Sequence, residues 1–263
     1  MMRDWDDAFA NSAYIAGSEA LPALWTRQAA DYRKSGVRID CDMPYGDSPR
    51  EVFDLIWPDQ TPKGLAVFVH GGYWLATDKS MWTHLAEGAR AQGWAVCLPS
   101  YTLAPDARIS QITQQIHAAI TQASNTVAGP IRIAGHSAGG HLVARMACAG
   151  REIDRLDRVV SISGIHDLRP LLQTKMNATL QMDIAEASAE SPILLHPDPR
   201  VKVTAWVGAK ERPEFIRQAQ LLAMMWDGLD ADVRCHLDAG HDHFSVIEGL
   251  KDVDSALTNA FVG

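Results

Sequence analysis

Residues 135–139 read G-H-S-A-G, a pattern that can present a serine hydroxyl for attack on a carbonyl group. An apolar run at 131–134 precedes the pattern and a helix-like stretch at 138–149 follows it, so Ser137 is predicted to lie on a strand-to-helix turn. Small residues must flank the serine, because a larger side chain would collide with neighbouring backbone in so tight a turn. The bare pattern also arises by chance, but this context makes Ser137 the predicted nucleophile.

Residues 70–74 read H-G-G-Y-W and directly follow a short apolar run at 65–69, which predicts a buried strand. Acyl transfer places negative charge on the carbonyl oxygen, and backbone N–H groups can stabilise that charge. Glycines let the backbone approach a ligand closely. The N–H groups of Gly71 and Gly72, with that of Ala138, are therefore the predicted oxyanion hole, although a Gly-Gly pair is also a common turn.

Three side chains beside these motifs are candidates for a substrate pocket: Tyr73, Trp74 and His136. The aromatic pair could line an acyl or aryl pocket, and plain core packing is the alternative. His70 is expected to hold its own loop by hydrogen bonding and not to act in catalysis.

A serine hydroxyl is a poor nucleophile at neutral pH and needs a general base, which a carboxylate in turn orients. With the chain order serine, acid, histidine, the base follows the last predicted strand at 232–237. His243 is preferred to His241 because the next residue, Phe244, can hold the loop against the final helix, whereas His236 lies within the strand. A metal site at 241–243 is the alternative, but consecutive side chains rarely converge on one ion.

The predicted acid is Glu211, the first carboxylate after an apolar strand at 201–207. Glu214 falls in the first turn of the following helix, where an acid often only complements the helix dipole. Asp167 follows an earlier strand and lies before the usual position of the acid. Glu211 is therefore preferred, and the other two remain alternatives.

Short apolar runs alternate with helix-like stretches along the chain. The predicted strands are at 51–57, 65–69, 94–98, 130–134, 158–162, 201–207 and 232–237. The predicted helices are at 80–91, 109–127, 138–149, 213–226 and about 244–261. This alternation predicts an α/β fold with a mostly parallel sheet and helices on both faces, in which ligands bind beyond the carboxyl ends of the strands.

We expect a single domain over residues 1–263 with two additions. Residues 1–48 are a predicted N-terminal helical extension, and residues from about 164 to 199 are a candidate cap insertion. The extension carries aromatic residues on its predicted helices: Trp5, Tyr14, Trp25 and Tyr32. Either addition could form a small helical cover over the strand ends, and simple packing at the edge of the sheet is the alternative.

The chain has 263 residues and a formal net charge of −8 at pH 7, and an acidic surface disfavours nucleic acids and anionic membranes as partners. The four cysteines form no C-x-x-C pair, and we expect neither a metal nor an organic cofactor. No stretch resembles a membrane span, and the acidic N-terminus lacks the apolar core of a signal peptide. We therefore expect a cytoplasmic protein whose partner is a small-molecule substrate, with its oligomeric state left open.

Taken together, these motifs resemble the α/β-hydrolase superfamily, in its branch of kynurenine formamidase-like (arylformamidase-like) and hormone-sensitive-lipase-like esterases. The similarity lies in the H-G-G-Y-W segment, a Y-T-L-A-P segment at 101–105, the G-H-S-A-G-G-H elbow, the acid loop at 207–215 and the G-H-D-H-F segment at 240–244. It extends over roughly residues 50–260. The acid loop supports Glu211 and the last segment supports His243.

The resemblance implies the α/β-hydrolase fold and a serine hydrolase that cleaves a small carboxylic ester or an aryl formamide through an acyl-enzyme. The alternatives are a thioesterase of the same fold and a catalytically silent hydrolase fold used for binding. The motifs describe the catalytic groups and not the leaving group, so they leave the physiological substrate open.

Overall fold

The computed structural model describes residues 3–151 and 153–263. The strands are β1 (Ile39–Pro44), β2 (Val52–Ile56), β3 (Leu65–Val69), β4 (Ala95–Pro99), β5 (Ile131–His136), β6 (Leu156–Ile162), β7 (Lys202–Gly208) and β8 (Val233–Asp238). They form one eight-stranded sheet in the order β1-β2-β4-β3-β5-β6-β7-β8. Pairing is parallel from β4 through β8 and antiparallel on both sides of β2.

Helices and 3-10 turns connect these strands. The helices are α1 (Trp5–Ala8), α2 (Leu21–Arg33), α3 (Glu87–Ala91), α4 (Ile109–Ser124), α5 (Ala138–Met146), α6 (Asn177–Leu180), α7 (Ile184–Ala189), α8 (Pro213–Asp227) and α9 (Ala256–Val262). The 3-10 turns are at Ser12–Tyr14, Ser18–Ala20, Lys79–Met81, Thr83–Ala86, Arg169–Gln173, Pro192–Leu194 and Ser245–Lys251. None of the helices in the described ranges is long and apolar enough to cross a membrane.

Apolar clusters cover both faces of the sheet, which explains why β3 and β4 are apolar at every position. Along β3, Leu65 and Val67 pack into the cluster formed with α4, α5 and α8. Ala66 and Phe68 pack into the cluster formed with α2, α3 and α9. A strand buried on both faces has no polar side to alternate with. The predicted α/β-hydrolase fold, with a mostly parallel sheet and helices on both faces, is confirmed.

The structure corrects the prediction that residues 1–48 are helical, because Ile39–Pro44 form β1. β1 pairs only with β2, at the edge of the sheet, and its side chains are half-buried or exposed. An edge strand tolerates polar residues that a central strand would exclude. The pairing shifts register near Asp42, whose φ is +53°.

Two predicted helices are interrupted. The stretch at 244–261 is a 3-10 turn followed by α9, which begins only after Ser255, whose Oγ accepts a hydrogen bond from the N–H of Thr258 at 2.9 Å. The stretch at 80–91 contains two 3-10 turns before α3. A cap bond at Ser255 starts a new helix and so separates it from the turn before it.

The segment 164–199 packs beside α4, α5 and α8. Glu190 accepts hydrogen bonds from Arg145 Nε at 3.0 Å and from Thr113 Oγ1 at 2.7 Å, and all three side chains are buried. The indole N–H of Trp226 donates to the carbonyl oxygen of Pro192 at 3.1 Å. These contacts attach the segment to the flank of the sheet.

Candidate active site

Ser137 lies at the carboxyl end of β5, between that strand and α5. Its φ is +55° and its ψ is −115°, a conformation that residues with a side chain rarely adopt. Its N–H donates to the carbonyl oxygen of Ile162 at 2.8 Å, and its carbonyl oxygen accepts from the N–H of His141 at 3.1 Å. The predicted strand-to-helix turn is therefore present, with two main-chain hydrogen bonds holding the strained residue.

Glycines on both sides of Ser137 are required by the close approach of the backbone. A Cβ atom on Gly135 would lie 2.3 Å from the carbonyl oxygen of Gly139, and one on Gly139 would lie 2.1 Å from that of Val69. Both distances are well inside van der Waals contact. Any side chain at either position would push β5, α5 and the end of β3 apart.

His243 and Glu211 come together from the loops after β8 and β7. Nδ1 of His243 lies 2.7 Å from Oε2 of Glu211, and both side chains are buried. The other carboxylate oxygen, Oε1, accepts from Ser163 Oγ at 2.5 Å and from the N–H of Gly208 at 2.8 Å. Because a carboxylate only accepts, Nδ1 of His243 carries the hydrogen and its Nε2 is left with a lone pair.

The alternative acids have other partners. Asp167 accepts from the guanidinium of Arg169 at 2.8 and 3.0 Å. Glu214 is buried in the first turn of α8, where Arg217 and Arg3 donate to it. Each carboxylate is thus engaged by arginine, and only Glu211 is bonded to His243.

The other histidines of this region also lie apart from the Glu211 carboxylate. His236 is exposed on β8 and stacks on the Trp206 ring at 3.8 Å. His241 contributes its carbonyl oxygen, which accepts from the N–H of Lys210 at 2.9 Å. Within the ranges that the structure describes, no group of three or more His, Cys, Asp or Glu side chains could hold a metal ion.

The loop after β3 brings Gly71 and Gly72 next to the nucleophile. A Cβ atom on Gly71 would lie 3.1 Å from Ser137 Cβ and 2.8 Å from the carbonyl oxygen of His136. Gly72 has a φ of +104°, and a Cβ there would lie 2.3 Å from the carbonyl oxygen of Ala76. In residues 3–151 and 153–263, no protein group accepts from the N–H of either glycine. Both N–H groups are therefore available to a ligand.

His70 holds this loop from behind. Its Nδ1 lies 2.8 Å from the carbonyl oxygen of Gly71 and 3.0 Å from Thr77 Oγ1, and its ring stacks on Tyr101 at 4.3 Å. Burial lowers the pKa of the His70 imidazole to about 4. His70 is thus a neutral, packed side chain at neutral pH, and it does not line the cavity in front of Ser137.

A cavity of about 530 Å³ opens in front of Ser137 and His243. Its lining includes both glycines of the β3 loop, Tyr73 and His136. Aromatic side chains form much of the rest: Phe9, Trp25, Trp82 and Phe244. No residue of segment 164–199 lines this cavity, whereas residues between 9 and 25 contribute a large part of it. The cavity is suited to a small molecule with an apolar or aromatic body.

Of the three predicted pocket side chains, the structure places two in the lining and corrects the third. Trp74 is completely buried, lies edge-on to the His141 ring at 5.2 Å, and is absent from the lining. Trp74 follows Tyr73 in a backbone where both residues have positive φ, which turns its indole into the core. His136 lines the cavity and its Nε2 lies 2.8 Å from the carbonyl oxygen of His243.

The sequence leaves open which of the two additions covers the strand ends, and in the structure the N-terminal segment lines the cavity. Tyr73 Oη donates to the carbonyl oxygen of Phe9 at 2.5 Å and accepts from Asn11 Nδ2 at 3.2 Å. Trp25 packs on Trp82 with ring centroids 4.8 Å apart. The aromatic residues of the first helices were visible in the sequence, but their partners lie far away along the chain.

Comparisons with known proteins agree with this fold. The model of a family described as the alpha/beta hydrolase fold matches residues 66–243. The kynurenine formamidase of Danio rerio is 30% identical over 247 residues, which cover 88% of this chain and 84% of that protein.

Two solved structures share the fold over nearly the whole chain. A crystal structure of a protein from Silicibacter sp., proposed to be a thioesterase, is 48% identical, covers 100% of both chains and has a TM-score of 0.94. An esterase from Pyrobaculum calidifontis is 16% identical, covers 93% of this chain and 92% of its own, and has a TM-score of 0.72. At that identity the second likeness concerns the fold alone.

Proposed function

This chain belongs to the α/β-hydrolase family and is an esterase-like or arylformamidase-like hydrolase, and on that premise we propose that it works as a serine hydrolase through an acyl-enzyme. The observation that carries the proposal is the 2.7 Å bond from Glu211 to Nδ1 of His243, a residue that lines the same cavity as Ser137. That bond leaves Nε2 of His243 with the lone pair that a general base requires. The three residues follow the chain order serine, acid, histidine that is typical of this fold.

In the proposed first step, Nε2 of His243 takes the proton of Ser137 Oγ while Oγ bonds to the substrate carbonyl carbon. Glu211 orients the imidazole and stabilises its charged form. Ser163 and Gly208 hold the carboxylate from its other oxygen, so Glu211 cannot rotate away. The imidazolium then gives its proton to the leaving group, and the acyl group remains on Ser137.

The oxyanion is proposed to sit between the N–H groups of Gly71, Gly72 and Ala138. Loss of a single such donor typically costs about 3–4 kcal/mol of transition-state stabilisation. Water, activated by the same histidine, then releases the acid, which is formate when the substrate is a formamide. Every proton transfer in this scheme is assigned to a side chain of this chain.

We propose small carboxylic esters and aryl formamides as substrates. Aromatic side chains surround the cavity, and a vertebrate kynurenine formamidase is 30% identical to this chain. A thioester is the second candidate, because the Silicibacter protein that is 48% identical has itself been proposed to be a thioesterase. The N-terminal segment, and not residues 164–199, is the proposed cover, since only the former lines the cavity.

Active-site labelling tests the serine mechanism. We expect a fluorophosphonate probe to label the folded wild-type protein and not to label the Ser137→Ala variant. Ser100→Ala is the matched control, because Ser100 is buried but does not line the cavity. A wild-type protein that is folded yet unlabelled would instead support a silent hydrolase fold used for binding.

Steady-state hydrolysis then identifies the bond. N-formylkynurenine, p-nitrophenyl acetate and an aryl thioacetate are compared under the same conditions. A Ser137-dependent kcat/KM on the formamide above about 10⁴ M⁻¹s⁻¹, the low end for natural substrates, would establish a formamidase. Turnover restricted to the acetate or the thioacetate would establish an esterase or a thioesterase instead.

A further inference from the structure

The imidazole of His136 is held in one tautomer by a main-chain carbonyl. Its Nε2 lies 2.8 Å from the carbonyl oxygen of His243, and a carbonyl oxygen can only accept. Nε2 therefore carries the hydrogen. A neutral imidazole has a single N–H, so Nδ1 of His136 has a free lone pair and acts as an acceptor.

This acceptor lies beside the nucleophile and has no partner of its own. Across the described ranges, 3–151 and 153–263, no donor reaches Nδ1 of His136. The atom is not fully buried, so a ligand can reach it. The ring lines the cavity in front of Ser137. A Cβ atom placed on Gly71 would lie 3.4 Å from His136 Nδ1 and 3.1 Å from Ser137 Cβ. The acceptor and the reacting side chain therefore flank the same glycine.

The acceptor persists at neutral pH. Burial, together with the neighbouring imidazole of His243, holds the pKa of His136 well below its ordinary value. The two rings lie 4.7 Å apart. A second positive charge so close to an imidazolium formed on His243 would be unfavourable.

Amide and ester substrates differ in what they can offer to such an atom. When Ser137 Oγ bonds to the carbonyl carbon of an amide, the nitrogen must turn its lone pair toward His243 to receive a proton. Its own N–H then points away from His243 and needs an acceptor. The leaving oxygen of an ester carries no hydrogen at all.

We propose that Nδ1 of His136 accepts the N–H of an aryl-formamide leaving group, and thereby makes the site selective for formamides over esters of the same acyl group. The inference rests on the serine mechanism proposed above. Oγ bonds to the formyl carbon, His243 passes the Ser137 proton to nitrogen, the C–N bond breaks and the arylamine leaves. Water then releases formate from Ser137. The hydrogen bond to His136 positions the nitrogen and transfers no proton.

Two substitutions separate this role from that of holding the His243 loop. In His136→Gln the amide nitrogen can take the place of Nε2 and still donate to the carbonyl of His243, but nothing replaces Nδ1. In His136→Asn the amide oxygen can take the place of Nδ1, but the side chain is too short to reach that carbonyl. The substrates are formanilide and phenyl formate, which share an acyl group and a ring and differ in N–H against oxygen.

The readout is the ratio of kcat/KM for formanilide to that for phenyl formate, which does not depend on how much of a variant is folded. We expect this ratio to fall by about tenfold or more in His136→Gln, the size of one lost hydrogen bond, and to stay near the wild-type value in His136→Asn. An unchanged ratio in His136→Gln, or a fall only in His136→Asn, would show that His136 merely holds the loop and would overturn the inference.

A test on the wild-type protein does not depend on the folding of any variant. N-methylformanilide lacks the N–H, and we expect its kcat/KM to be at least about tenfold below that of formanilide after correction for their alkaline hydrolysis rates. Equal turnover of both would overturn the inference. If the protein hydrolyses phenyl formate in a Ser137-dependent manner but does not hydrolyse formanilide, the inference about His136 is overturned and the serine mechanism stands. If no substrate shows Ser137-dependent turnover, both the inference and the serine mechanism fail.

Discussion

Two parts of the candidate active site are held in place by different kinds of contact. The first, here called the motif wall, consists of Gly71, Ser137 and His243, which line the cavity, and of Glu211, which bonds to His243; each lies beyond the end of a strand of the sheet. The second, here called the N-terminal wall, consists of residues 9–25 and belongs to no strand. The motif wall is positioned by ladder hydrogen bonds of adjacent parallel strands, which are cooperative and buried.

The N-terminal wall is attached mainly by side chains. Tyr73 bonds to the carbonyl oxygen of Phe9 in this wall. In the residues just before the wall, Asp7 lies 2.5 Å from Arg212 Nη2, and Arg3 Nη1 lies 3.0 Å from Glu214. Both ion pairs are partly exposed, and such pairs contribute about 0–1 kcal/mol each. We therefore expect the chemistry to depend on the motif wall, and access and substrate binding to depend on the N-terminal wall.

The largest effect is expected within the motif wall, from Glu211→Gln. The N–H of Gly208 can only donate, so it keeps the Gln oxygen at the position of Oε1 and turns the NH₂ group toward His243. Nδ1 must then accept, Nε2 carries the hydrogen, and His243 cannot take the Ser137 proton. We expect kcat to fall by about 10³–10⁴ with little change in KM. Steady-state kinetics on p-nitrophenyl acetate measures this.

The matched control for that substitution is Glu214→Gln, three residues away. Glu214 is also a buried glutamate, but its partners are arginines and Gln218. We expect Glu214→Gln to lower stability and to leave kcat near the wild-type value. Equal losses of kcat in the two variants would contradict the assignment of Glu211 to the His243 pair.

Acid is expected to weaken the body around the motif wall. Burial lowers the pKa of His70 and His141 to about 4 and that of His166 to about 3, against about 6.5 in an unfolded chain. Between these pH values the unfolded chain binds more protons than the folded protein. The free energy of unfolding is therefore highest above about pH 6.5 and falls as the pH drops toward 4. Residues 3–48 contain no histidine, so the loss does not arise in the N-terminal wall.

Urea unfolding at pH 7, 5.5 and 4.5 measures that dependence. His141→Gln supplies the comparison, because a Gln amide can still donate to the carbonyl oxygen of Glu190, which His141 Nε2 contacts at 2.7 Å, but cannot titrate. We expect a shallower dependence on pH in this variant. A free energy of unfolding that stays constant from pH 7 to 4.5 in the wild type would contradict the prediction that buried neutral histidines destabilise the protein in acid.

The smallest effect is expected at the N-terminal wall, from Tyr73→Phe. The change removes the hydrogen bonds to Phe9 and Asn11, which together stabilise the segment by about 1–3 kcal/mol. We expect KM to rise a few-fold, kcat to change little, and limited proteolysis within residues 3–20 to become faster. Tyr45→Phe is the control, since it removes a similar bond to the carbonyl oxygen of Ser100 at 2.6 Å, away from the cavity. An equal change of KM in both variants would contradict the expectation that substrate binding depends on the N-terminal wall.

The sequence predicted the sheet well because its signals are local. Every strand except β1 was found close to its observed bounds, since buried central strands are short apolar runs between turns. β1 was missed although Ile39, Cys41 and Met43 alternate with polar residues, because an edge strand with half-buried and exposed side chains lacks the apolar run that marks a central strand. The interruption of the last helix was also missed, since the cap at Ser255 competes with a continuous apolar pattern.

The candidate site was predicted in the same uneven way. The residues of the motif wall could be named because each follows a recognisable strand, and the structure brings Glu211 to His243 and both glycines to Ser137. The lining of the pocket was harder to predict, because two adjacent aromatic residues point in different directions: Tyr73 lines the cavity and Trp74 lies in the core. Their direction depends on the positive φ at both positions, which no pattern of residue types reveals.

The sequence by itself predicted an α/β fold with a mostly parallel sheet and named the candidate catalytic residues, because strand, turn and helix signals act over a few neighbouring residues. Only the tertiary structure decided that residues 9–25 line the cavity, that Trp74 does not, and that His136 Nε2 lies against the carbonyl oxygen of His243. These outcomes depend on contacts between residues far apart in the chain, such as His136 with His243, and such contacts leave no periodic trace in the sequence.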